Sequence, residues 1–294
     1  MRVGVIGASG QLGSALCSAL EEAQLECVRF EHGELEVSSP ESVWRALRTA
    51  RPNVVVNTAA FHHVDACEED PARAFEVNAL GALYVARVCR EIGVRCVYVS
   101  TDYVFDGAKP GPYSEEDAPN PINVYGASKL AGEHLVLQTC PDALVVRLAS
   151  LYGGRGARGK HGNFVLSILE RARRGEVLRV VRDVRMSPTY AADAARAIVN
   201  LVEDGATGRF HVVDEGACSW WEFARAIVAL AGLNATVLPV SLEEYHLTKA
   251  RRPVNSALSI AKLQSVSIRM PPWQEALTEY IDRILPTLWS QAER

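Results

Sequence analysis

The sequence has no Cys-x-x-Cys pair, no low-complexity tract, no apolar run of membrane length and no marked excess of either charge. Each absence excludes a class. The seven cysteines (Cys17, Cys27, Cys67, Cys89, Cys96, Cys140, Cys218) are scattered and odd in number, which argues against a zinc site or disulfide framework and for reduced thiols. No apolar stretch approaches the roughly 20 residues that span a bilayer. The N-terminus MRVGVIGASG runs straight into a strand and a glycine turn, not a charged leader with an apolar core and cleavage site. The expected location is the cytoplasm, with no membrane partner. A formal net charge of −4 gives no basic field for nucleic acid. What remains is 294 residues, 48% hydrophobic and 22% charged, enough to bury the core of one large or two modest domains.

Short β-branched runs alternate with helical patterns through the first half: RVGVIG, GQLGSALCSALEEA, LECVRFE, SPESVWRALRTA, VVVNTA, DPARAFEVNALGALYVARVCREIG, RCVYVS and ALVVRLASLYG. This alternation implies right-handed crossovers and a doubly wound parallel α/β sheet. After Tyr152 the texture changes to a glycine- and arginine-rich GGRGARGKHG, then NFVLSILERARRGE and further helices mixed with short strands. The expected organisation is a nucleotide-binding domain over residues 1–153. A smaller helix-rich lobe over 154–294 is expected to bind substrate and return to the main sheet at least once.

Gly7, Gly10 and Gly13 follow the first strand and open a helix, where glycine lets the backbone turn tightly and approach a pyrophosphate at the helix N-terminus. Glu31 ends the second strand, where an acid can meet the adenosine ribose of NAD. The neighbouring Arg29 would instead attract a 2′-phosphate, so NAD and NADP both stay open. Glu36 and Val37 follow, where the chain can flank the adenine. Tyr125 stands four residues before Lys129 in NVYGASKLAGE, so phenol and ammonium share one helix face. A cation there lowers a phenol's pKa from about 10 and suits it to general acid or base work. Ser100, Thr101 and Asp102 end a strand, where Thr101 can hold a carbonyl oxygen beside Tyr125 or simply form a strand-end turn. His62 and His63 lack further ligands at metal spacing, and no metal is expected.

GASGQLG, NTAA, STDYVFDG, PYSEEDAPNPINVYGASKLAGE, SPT and RRPVNSALSIAKL with PPWQEAL occur in an order that resembles the extended short-chain dehydrogenase/reductases, and among them the dTDP-4-dehydrorhamnose reductase family. The resemblance implies a Rossmann-type sheet and a reduced NAD or NADP as hydride donor. It makes Tyr125 the proton donor, Lys129 the residue that binds the nicotinamide ribose and lowers the tyrosine pKa, and Thr101 the partner of the carbonyl oxygen. Gln11, Leu12, Ala59 and Ala60 join the expected cofactor contacts, and Val64, Asp102, Tyr103, Asn163, Arg185 and Arg252 the substrate contacts. The implied reaction is reduction of a nucleotide-linked 4-keto-6-deoxy sugar, foremost dTDP-4-dehydro-L-rhamnose, by a monomer or homodimer.

A sugar-nucleotide dehydratase of the superfamily carries Thr-Asp-Glu where this chain has Thr101-Asp102-Tyr103, which removes a base and favours simple reduction. A sugar epimerase, and a non-catalytic subunit resembling the methionine adenosyltransferase β subunit, are the alternatives. DVRMSPT departs from the family's DQxGxPT, with Val184 and Met186 at the Gln and Gly positions. Ala15 stands where some relatives place a metal-binding glutamate.

Overall fold

Aliphatic residues fill successive positions of the central strands because each strand is covered on both faces. The computed structural model describes residues 1–154, 162–244 and 249–290, with side chains to residue 286; most of GGRGARGKHG lies outside the described residues. The first half carries β1 (Arg2–Ile6), α1 (Gln11–Glu22), β2 (Glu26–Phe30), α2 (Pro40–Ala50), β3 (Val54–Asn57), α3 (Val64–Glu69), α4 (Pro71–Phe75), α5 (Ala82–Ile92), β4 (Arg95–Thr101), α6 (Val124–Thr139) and β5 (Leu144–Leu148). The second carries β6 (Leu151–Tyr152), α7 (Phe164–Arg173), β7 (Leu178–Val181), β8 (Arg185–Met186), β9 (Thr189–Tyr190), α8 (Ala191–Glu203) and β10 (Gly208–His211). It ends with β11 (Cys218–Ser219), α9 (Trp220–Leu230), β12 (Val237–Val240), α10 (Ala261–Ser265) and α11 (Trp273–Ser290).

Six strands form one parallel sheet in the order β10-β5-β4-β3-β1-β2. The chain leaves β1 for β2 on one side and returns to β3 on the other, so a crevice opens at the carboxyl ends of β1 and β3. Val3, Val5, Val54, Val56, Val97 and Val146 face one core layer, closed by Leu12 and Leu16 of α1 and Ala194 and Ile198 of α8. Ile6, Val55, Tyr98 and Val145 face the other, closed by α2, α5 and α6. A third core, with Leu169, Phe223 and Leu277, joins α7, α9 and α11 in the smaller lobe. The second half therefore contributes both an edge strand, β10, and a covering helix, α8, to the large sheet.

The stretch from Pro71 to Ile92 predicts one helix, but a π-turn over Glu76–Gly81 separates α4 from α5. Asn78 explains it. Its amide donates to the Phe61 carbonyl at 3.0 Å and to Ser128 Oγ at 2.9 Å, and its carbonyl oxygen accepts from the Tyr98 hydroxyl at 2.7 Å. Bonds from outside the helix hold this turn wide, and they lock the loop after β3 against α6.

Candidate active site

The start of α1 opens the site. Ser39 caps α2, Asn123 caps α6 by accepting from the Gly126 N–H, and Ser219 with Glu222 forms a capping box on α9. α1 begins on Gly10 with no side-chain cap, so its first-turn N–H groups face the crevice with the positive end of the helix dipole. Gly7 has φ +79°, and a Cβ on Gly13 would lie 2.1 Å from the Gly7 carbonyl oxygen. Only glycine lets the turn close this far. The residues present fit the pyrophosphate of a dinucleotide, in a crevice of about 590 Å³ lined here by Gly7, Gly10, Gln11, Leu12 and Gly13. Gly13→Ala should push the turn apart and weaken dinucleotide binding by about 10-fold or more, readable by calorimetric titration.

Past β2, His32, Leu35 and Val37 line the crevice, whereas Glu36 does not. Its carboxylate accepts from the Ser38 N–H at 3.0 Å and the Ser38 hydroxyl at 2.8 Å, and it pairs with His32 at 3.2 Å. Of the two residues expected beside the adenine, Val37 lines the crevice and Glu36 does not. Arg29 is likewise committed elsewhere, donating to Glu21 of α1 at 2.7 Å on the surface. Glu31 follows β2 on the exposed side, its N–H donating to Glu34 at 3.0 Å. After β3 the loop presents Thr58, Ala59, Ala60, His62 and Val64 to the crevice. Of the two adjacent histidines only His62 lines the crevice.

β4, α6 and the segment between them supply the polar centre. Thr101 accepts from the Tyr103 N–H at 3.2 Å and donates its own hydroxyl proton to Asp102 at 2.9 Å. Asp102 is buried, which pushes its carboxyl up to about 6 against the hydrogen bonds it receives. α6 can approach so closely because residue 126 is glycine: a Cβ there would lie 2.0 Å from the Tyr103 carbonyl oxygen. Tyr125 then meets Tyr103 edge to face, with ring centroids 6.0 Å apart. Lys129 is 2% exposed, donates to the Val99 carbonyl at 2.6 Å and lies 4.1 Å from the centroid of the Tyr98 ring.

These positions correct the expected electrostatics. Burial raises the Tyr125 phenol above its ordinary 10, with the hydrogen bond to Thr101 only partly opposing it. Burial also lowers Lys129 to about 7, with Glu133 opposing. Burial is the largest influence on the phenol, and one donor of the Lys129 ammonium goes to the Val99 carbonyl. Beneath the site Glu133 binds Arg147 at 2.7 and 2.8 Å, Arg209 at 3.2 Å and Ser100 at 2.6 Å.

Thr101, Tyr125 and Lys129 come together with Val64, Asp102, Tyr103 and Arg252 along one wall. Asn163 does not. It caps α7, accepting from the Leu166 N–H at 3.0 Å and donating to the Tyr280 hydroxyl at 2.9 Å. Arg185 lies exposed on β8, donates to the Ala217 carbonyl at 3.3 Å and is also outside the crevice lining. Sequence reasoning missed Trp220, which the capped start of α9 brings to the crevice, and Ser150, whose φ of +42° turns the chain after β5. The strong cap in SWWEFARA was a usable signal for Trp220; Ser150 had none. Among the described residues no group of three His, Cys, Asp or Glu side chains is set to hold a metal, and no helix is long and apolar enough to cross a membrane.

The family model for the RmlD substrate binding domain matches residues 1–285. The chain is 40% identical over 280 residues to the spore coat polysaccharide biosynthesis protein SpsK of Bacillus subtilis (strain 168), covering 95% of this chain and 96% of that one. It is 34% identical to the dTDP-4-dehydrorhamnose reductase of Aggregatibacter actinomycetemcomitans, covering 94% and 97%. Among solved structures, the dTDP-4-dehydrorhamnose reductase of Bacillus anthracis str. Ames in complex with NADP superimposes with a TM-score of 0.90 at 36% identity, covering 96% of this chain and 99% of that chain.

Proposed function

The chain belongs to the dTDP-4-dehydrorhamnose reductase family and is an NAD(P)-dependent sugar-nucleotide reductase, and from that premise we propose that it reduces the C4 ketone of a nucleotide-linked 4-keto-6-deoxy sugar. The leading substrate is dTDP-4-dehydro-L-rhamnose, giving dTDP-L-rhamnose. The observation that carries this reading is the convergence of Tyr125, Thr101 and Lys129 on the crevice that begins at the uncapped end of α1.

A reduced nicotinamide, when bound, supplies the hydride for the carbonyl carbon. Tyr125 supplies the proton for the carbonyl oxygen. A phenol raised by burial keeps that proton at neutral pH and releases it only to a stronger base, which is the charge that develops on the oxygen during reduction. Thr101 is hydrogen-bonded to the Tyr125 hydroxyl and so holds the phenol in place. Lys129, buried beside them, is placed to donate to ribose hydroxyls. Its charged form diminishes as pH rises through about 7. Tyr103 leaves the wall without the second carboxylate that dehydration requires.

Arg252 lines the crevice beside Tyr103 and suits the substrate diphosphate, because a guanidinium offers a planar fork to phosphate oxygens. Arg252→Ala should raise the sugar-nucleotide KM by about 10-fold with kcat little changed, since the diphosphate is held alike in ground and transition states. Loss of kcat at unchanged KM would assign Arg252 another role. The function itself is tested by following NAD(P)H absorbance with a panel of dTDP- and UDP-linked 4-keto sugars, including both C5 epimers. Stoichiometric cofactor oxidation with the 4-keto sugar alone is expected. Turnover without net oxidation would indicate an epimerase, and no turnover without a co-purifying catalytic partner would indicate a regulatory subunit.

A further inference from the structure

The segment from Lys249 to Ser256 crosses from α3 over the start of α6 to β8, where the Arg185 N–H donates to the Val254 carbonyl and the Ser256 N–H to the Arg185 carbonyl. Arg252 sits midway along it and is the one residue of this segment in the crevice lining. Each neighbour on the large-sheet side holds the segment by a specific contact. Asn123, two residues before Tyr125, donates to the Arg251 carbonyl at 3.0 Å, and Glu69 pairs with Lys249. Gly107, at φ +84°, lies so near that a Cβ would stand 2.7 Å from the Val254 nitrogen.

Asp65, on the first turn of α3, makes the most contacts. One carboxylate oxygen accepts from the N–H groups of Lys249 at 3.1 Å and Ala250 at 2.9 Å. The other accepts from the Arg252 guanidinium at 3.2 Å. A second guanidinium nitrogen donates to the Tyr103 hydroxyl at 3.4 Å.

We propose that Asp65 is a positioning residue for substrate: it fixes Arg252 over the crevice by pinning both the segment's backbone and the guanidinium itself. The proposal rests on the reading in which Arg252 meets the substrate diphosphate. By charge alone a carboxylate beside a diphosphate site repels the ligand, so its value lies in geometry. An arginine side chain is long and loses much rotamer freedom when held, and a site that holds it beforehand spares binding that cost. Asp65 and Tyr103 engage two of the five guanidinium N–H donors, and the rest stay available to phosphate oxygens. Asp65 touches neither the hydride path nor the Tyr125 hydroxyl, so its effect travels through Arg252.

The test uses dTDP, the nucleoside diphosphate part of the proposed substrate, as a calorimetric probe on the full chain, with steady-state kinetics alongside. Asp65→Ala should weaken dTDP binding by about 10-fold, as Arg252→Ala does, and the double variant should be no weaker than either single one. Asp65→Asn keeps an acceptor oxygen for the backbone N–H groups and should recover most of the affinity. The dinucleotide dissociation constant should stay unchanged throughout. Additive losses in the double variant would overturn the proposal, as would an Asp65→Ala chain that unfolds at the wild-type temperature and binds dTDP as tightly as wild type. A drop in dinucleotide affinity and unfolding temperature with no rescue by asparagine would show a merely structural role and overturn it too. Wild-type affinity in Arg252→Ala would instead remove the anchoring reading, with Asp65's role falling alongside it.

Discussion

Tyr125→Phe should lower kcat by about 10²-fold or more while the dissociation constant for the reduced dinucleotide stays within a factor of about 3. The substitution removes one oxygen and keeps the ring, so the edge-to-face contact with Tyr103 at 6.0 Å and the start of α6 are preserved. What is lost is the proton that must reach the carbonyl oxygen as hydride arrives at carbon. The two nearest polar groups are engaged elsewhere: Thr101 donates its proton to Asp102, and Lys129 donates to the Val99 carbonyl. Single-turnover kinetics separate this from slow product release, because the loss should appear in the chemical step. A Phe variant that reduces substrate at near wild-type rate would exclude Tyr125 as the acid.

Arg147→Leu should destabilise the fold by about 3–5 kcal/mol, the range for breaking a buried ion pair by removing one partner. Arg147 and Glu133 have side chains only 1% and 0% exposed, and their bonds of 2.7 and 2.8 Å tie β5 to α6 one helical turn from Lys129. Burial by itself would raise the Glu133 carboxyl; the hydrogen bonds and charge of Arg147, with Ser100 and Arg209, outweigh it and hold the carboxyl below its ordinary range. A depressed carboxylate contributes stability that is present above its unfolded pKa and lost as pH falls through its folded one. The gap between wild type and variant should therefore be widest near neutral pH and narrow toward acid, where Glu133 takes a proton and no longer needs the guanidinium. Chemical denaturation at several pH values measures it. A gap that stays constant with pH would mean that Arg147 acts by packing alone.

Tyr125 and Lys129 show what can be read locally. They are four apart on one helix, and helix geometry alone places them on one face before any packing is known. The glycine turn is equally local, since strand, turn and helix are contiguous, and the alternation of strands and helices implies the doubly wound sheet. Asn163 and Arg185 show the limit. A polar residue before an apolar helical run reads as a cap or as a ligand, and only the position of Tyr280 makes Asn163 the former. The partners of Glu36 are likewise set by its own turn, which brings Ser38 and His32 to its carboxylate.

The sequence by itself determined the sheet architecture, the glycine turn and the shared helix face of Tyr125 and Lys129, because each depends on spacing within one or two consecutive elements. Tertiary structure alone decided that Arg252 reaches the crevice, that Asp65, 187 positions earlier, holds it there, and that Trp220 and His62 line the same space. It also reversed the expected direction for Tyr125, whose phenol is raised rather than lowered. The physical reason is common to all of these. Side-chain type and spacing travel with the chain, but burial, and the partner a charge finally selects, are set by segments far apart in sequence that meet only when the sheet, α6 and the segment around Arg252 close on one another.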